Sequence, residues 1–70
     1  MDKHTADGLL KRFLFWRSAT QTTEGTDRKL AQSHLRGFVE ATGLVLGMHP
    51  AGSDAGDALA VFDRLRTLAE

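Results

Sequence analysis

Apolar side chains recur along this chain at helical spacing, in three stretches separated by polar punctuation. Stepping at about 100° per residue gathers Leu9, Leu10, Phe13, Leu14 and Trp16 into an arc of about 160°, which predicts a helix over 6–19. Arg17 falls in the same arc, its stem able to lie along apolar surface. Thr5 stands where an N-cap is wanted, and Asp7 follows in the first turn, where a carboxylate complements the helix dipole. The run Thr20-Gln21-Thr22-Thr23-Glu24-Gly25-Thr26 predicts a polar loop.

The second stretch carries the strongest pattern and predicts a helix over 27–48, capped by Thr26. Leu30, Ala31, His34, Leu35, Phe38, Val39, Ala41, Thr42, Val45, Leu46 and Met48 share an arc of about 180°. So wide a face suits a central helix with a neighbour on each side. The apolar phase runs past Gly43, a possible C-cap, to Met48. A continuous helix ending near Gly47 is therefore expected, although each interior glycine costs about 1 kcal/mol relative to alanine. His49-Pro50-Ala51-Gly52 supplies a stop and a turn, after which Ser53 caps a third helix over 54–69. Its apolar side is Ala55, Ala58, Leu59, Val61, Phe62, Leu65, Leu68 and Ala69.

Three helices joined by two short connections predict one all-α domain over residues 1–70, a small antiparallel three-helix bundle. The alternative is a helix-swapped dimer, in which the first segment packs on a second copy across a loop of about seven residues. A core of this size supplies only about 3–5 kcal/mol, so a homodimer is an expected form of extra stabilisation.

Composition narrows the chemistry. There is no cysteine, which removes disulfides and thiolate metal sites, and the three histidines are too scattered to suggest ligands. Nine basic and nine acidic side chains balance, but unevenly. Residues 1–36 hold seven basic against four acidic groups, a net +3, and residues 37–70 hold two against five, a net −3. Such a polar chain can pair head to tail or steer a partner, and it lacks the basic excess of a dedicated nucleic-acid binder. No apolar run approaches the ~20 residues that span a bilayer, and Lys11 and Arg12 break the N-terminal one, so a cytoplasmic chain without a membrane partner is expected.

No P-loop, metalloprotease, dinucleotide-binding or nucleophile-elbow motif is present. Ser33 and His34 are adjacent and so point to different helix faces, which prevents their acting as nucleophile and base. Asp54 and Asp57 are accounted for by the positive end of the third helix. No catalytic residue, metal site or cofactor is expected. His34 lies in the apolar arc of the second helix, where a core or half-buried histidine with a hydrogen-bond partner is the simplest expectation.

One short run stands out. Lys11-Arg12-Phe13-Leu14-Phe15-Trp16-Arg17 holds three of the five aromatic residues, and one helix face cannot bury all of its apolar members. Phe13, Leu14 and Trp16 belong to the core-facing arc, which leaves Phe15 between Lys11 and Arg12. Phe15, Lys11, Arg12, Arg17 and His4 are accordingly the candidate partner-binding residues, since aromatic and arginine side chains dominate interface hot spots. The expected function is a small non-enzymatic protein-protein interaction module: an adaptor, regulator or inhibitor that occupies the surface of a protein partner. Many phage and mobile-element proteins that block a host factor share this size and plainness. The alternatives are a nucleic-acid-binding accessory that uses the basic first helix, and a purely structural oligomerisation element. Helices two and three resemble a helix-turn-helix in spacing, but Asp54 and Asp57 would lead the recognition helix and repel phosphate.

Overall fold

A computed structural model describes residues 1–48 and 55–70. The elements are α1 (Lys3–Thr22), α2 (Gly25–Val45) and α3 (Ala55–Ala69), packed on one another as an all-α three-helix arrangement. The expected caps at Ser53 and turn at His49–Gly52 lie outside the described residues.

α1 begins a turn earlier than its apolar pattern predicts. Asp2, not Thr5, is the N-cap: its carboxylate accepts from the Thr5 backbone N–H at 2.7 Å. Asp7 therefore lies beyond the first turn and instead meets Lys11 one turn on, at 2.9 Å. α1 also runs on through residues expected to form a loop. Thr20, Thr22 and Thr23 donate their hydroxyls back to the carbonyls of Arg17, Ser18 and Ala19, at 2.7, 3.0 and 2.6 Å. These back-bonds let polar, β-branched residues stay helical. Only Thr23 and Glu24 separate the first two helices. Gly25 takes φ +60° at the turn, and Arg28 Nε donates to the Thr23 carbonyl at 2.9 Å, tying the start of α2 to the end of α1. Glu24 occupies the N-cap position of α2 without a side-chain cap bond, so Thr26 sits inside the first turn rather than before it.

α2 is continuous through Gly43, as its apolar phase requires. It ends in a Schellman motif: Met48 N–H donates to Gly43 O at 2.8 Å, Gly47 N–H donates to Leu44 O at 3.1 Å, and Gly47 takes φ +77°. The motif turns Met48 back onto the core.

The core centres on Phe13, Val39, Val61 and Leu65, with Leu9, Leu10, Leu35, Phe38, Leu46, Met48, Ala58 and Phe62 packed around them. Phe13 lies between Phe38 and Phe62, ring centroids 6.3 and 5.3 Å away. α1 packs closely on both other helices, whereas α2 and α3 meet sparingly. The central helix is thus α1, and not α2 as the width of its apolar arc suggests. α1 opposes each neighbour: Trp16 meets His34 while Phe13 meets Phe38, and Arg17 meets Phe62 while Lys3 and His4 lie near Ala69. α2 and α3 consequently run in the same sense along either side of α1. With α3 drawn towards α1, part of the α2 arc is left uncovered. Leu30, Leu44 and Val45 are 56, 63 and 73% exposed, and His34 and Ala41 are exposed as well. Leu14 and Leu59, placed in core-facing arcs by periodicity, are exposed as well.

Candidate functional site

The outward face of α1 follows from helix geometry. His4, Gly8, Lys11, Arg12 and Phe15 recur three or four residues apart and so form one stripe. α2 and α3 occupy the sides of α1 that carry Trp16, Phe13 and Arg17, which leaves Gly8, Lys11, Arg12 and Phe15 without a helix against them. Phe15 is 62% exposed. The edge of its ring meets the neighbouring Trp16, at 5.1 Å between centroids and 78° between planes. Trp16 in turn stacks on His34 of α2 at 4.6 Å and 18°. Phe15 is thereby braced from one side while its other face remains open, and the 20–26 segment does not cover it.

Gly8, Lys11, Arg12 and Phe15 line a shallow depression of about 300 Å³. Gly8 forms its floor because a side chain is missing there; a Cβ at that position would meet nothing within 4 Å. The structure thus brings together Phe15, Lys11 and Arg12. Their charges are not equivalent, because Lys11 is paired with Asp7 whereas Arg12 makes no ion pair within the described residues. Arg12 is the free cation of the patch.

Two candidate residues stand apart from it. Arg17 lies about 200° around the helix from Phe15, with its guanidinium 6.0 Å from the Phe62 ring centroid. Arg66 approaches the same ring at 6.0 Å from within α3, so only Arg17 of the two reaches it across the α1–α3 seam. His4 shares the stripe of Phe15 but is about 16 Å from it along the axis. It lines a separate depression with Lys3, Asp7 and Ala69. His34 is exposed rather than buried, and its ring packs on Trp16 in place of a core contact. Periodicity alone did not reveal that stack, which depends on the register between α1 and α2.

A second cleft, of about 350 Å³, opens among Phe13, Arg17, Leu35, Ala58, Leu59 and Phe62. Among the described residues Arg17 is its only ionisable lining group, and those residues supply neither a nucleophile nor an acid–base pair. Among the described residues no three histidine, aspartate or glutamate side chains converge as metal ligands. No helix there is long and apolar enough to cross a membrane. The Thr5 backbone N–H, and then the Thr5 side chain, hold the Asp2 carboxyl below its ordinary value of 3.8. That is the signature of a helix cap, not of a reactive group. No family model matches the chain, and neither does any curated protein or solved structure.

Proposed function

We propose that this chain is a non-enzymatic interaction module that docks the outer stripe of α1 onto a protein partner. The observation that carries the reading is Phe15: a large ring 62% exposed, braced by Trp16, and set between two cationic side chains over the bare backbone of Gly8. Burying a ring held this way orders little that is not already ordered, which favours binding. The matching surface has an apolar recess for Phe15 and a carboxylate in reach of Arg12, whose fork suits bidentate pairing. Such a module acts by occupancy, as an adaptor or as an inhibitor that competes for the partner's own ligand, and a cytoplasmic partner fits its composition.

The test is affinity purification with wild type, Phe15→Ala and Arg12→Glu, followed by titration calorimetry on each purified partner. A genuine partner is recovered by wild type and binds both variants at least tenfold more weakly, about 1.4 kcal/mol, while their helix content is unchanged. Equal recovery of every protein by all three chains overturns the assignment. Tight binding of DNA or RNA at about 50 mM salt would transfer the stripe to the nucleic-acid reading.

A further inference from the structure

α2 has a second apolar seam that the fold leaves largely uncovered. Leu30, His34, Gly37, Ala41 and Leu44 follow one another at intervals of four and three residues, the spacing of a helix-pairing face. Val45 flanks the seam. Every one of these residues is exposed, whereas Val39, on the opposite side of α2, is 1% exposed in the core. Two small residues occupy the middle, and a Cβ at Gly37 would meet nothing within 4 Å, so another helix can approach closely there.

We propose that this seam pairs with the α2 of a second copy, antiparallel, about a twofold axis near Gly37–Phe38. The pattern is self-complementary. Leu30 and Leu44 lie seven residues on either side of Gly37, so each leucine of one copy meets the Leu44–Val45 or Leu30 end of the other. His34 faces Ala41 of the second copy, and the small centres pack together. Charge gives the same answer. Arg36 and Glu40 flank the seam, and neither makes an ion pair within the chain among the described residues. The same twofold brings Arg36 against Glu40 of the second copy, twice.

The exposed parts of Leu30, Leu44 and Val45 supply roughly 100 Å² each, and the Trp16–His34 edge and the Arg36 and Glu40 stems add to this. The resulting area lies at the low end for specific interfaces, which sets the dimer in the micromolar range or weaker. It uses the α2 seam and not the Lys11–Arg12–Phe15 stripe, so both surfaces can be occupied at once.

Sedimentation equilibrium from about 10 µM to 1 mM tests the pairing. Wild type is expected to reach twice the chain mass of 7.7 kDa. Gly37→Gln adds bulk at the crossing yet raises helix propensity, so it should remain folded and sediment as a monomer. Arg36→Glu and Glu40→Arg should each weaken the dimer about tenfold, since each reversal acts twice, and their equimolar mixture should regain wild-type affinity. Phe15→Ala and Arg12→Glu should dimerise normally. Wild type at the monomer mass throughout overturns the proposal. So does a Gly37→Gln chain that still dimerises, or dimerisation abolished by Phe15→Ala instead.

Discussion

Phe13 and Phe15 are two residues apart and chemically identical, and the fold assigns them opposite fates. Phe13 is 2% exposed between Phe38 and Phe62, whereas Phe15 is 62% exposed with Trp16 as its aromatic neighbour. Truncating a buried phenylalanine to alanine costs about 3–5 kcal/mol, from lost transfer energy and the cavity left behind. A core of this size supplies only about 3–5 kcal/mol, so Phe13→Ala should be largely unfolded at 25 °C. Phe13→Leu is the graded version. It keeps an apolar group in the site and should cost about 1–2 kcal/mol, lowering the melting temperature by about 5–15 °C. Phe15→Ala loses one edge contact and little burial, so its cost should stay below about 1 kcal/mol. Far-UV circular dichroism during urea titration measures all three, at one fixed protein concentration because self-association would shift every midpoint. Equal losses from Phe13→Leu and Phe15→Ala, or a larger loss from the latter, would refute the packing and with it the claim that Phe15 is free to bind.

Gly8→Ala should stabilise the chain by about 0.5–1 kcal/mol in a thermal melt, because α1 gains a better helix former and the new Cβ meets nothing. Gly47→Ala should destabilise by about 1 kcal/mol or more, since φ +77° closes the Schellman motif, and amide exchange should show the end of α2 fraying. Because the Asp2 carboxyl is held below 3.8, its capping contribution is present above that value and lost as pH falls through the lower folded-state value. Wild type should therefore shed helical signal in that acid window by a step that Asp2→Ala lacks. Removing the imidazole in His34→Ala should expose the stacked Trp16 face to water and shift its fluorescence to longer wavelength.

The three helices were legible because apolar spacing survives any choice of tertiary partner. The helix ends were not, because local hydrogen bonds decided them. Three threonines that look like loop residues bond back into α1, and Asp2 captures the Thr5 N–H before Thr5 can act as a cap. The centre of the bundle was also hidden. An arc of about 180° on α2 predicts two neighbours, yet periodicity counts only apolar positions and not which of them a neighbour reaches. The Phe15 stripe was legible from one helix alone, since His4, Gly8, Lys11, Arg12 and Phe15 share a face of α1 whatever lies behind it. The separation of Arg17 from that stripe was not legible, because it depends on Phe62 of a helix about 45 residues on in sequence. Even within the stripe, the i,i+4 pairing of Asp7 with Lys11 decides that Arg12 carries the unpaired charge.

The exposed apolar residues are not scattered in the way that single surface leucines usually are. Apart from Leu14 and Leu59, the large ones in the helices fall in two lines, Phe15 on α1 and Leu30–Leu44–Val45 on α2. Both lines belong to one hairpin, whose two-residue turn is closed by the Arg28–Thr23 bond, and the Trp16–His34 stack joins them. α3 contributes differently: Val61 and Leu65 are fully buried, and Phe62 packs against Phe13. A helical hairpin alone cannot bury Phe13 from both sides. α3 therefore acts as a buttress that seals the inner face of the hairpin and leaves its outer faces free. Substitutions in α3 should accordingly change stability before they change binding, whereas those at Phe15 or Gly37 should do the reverse.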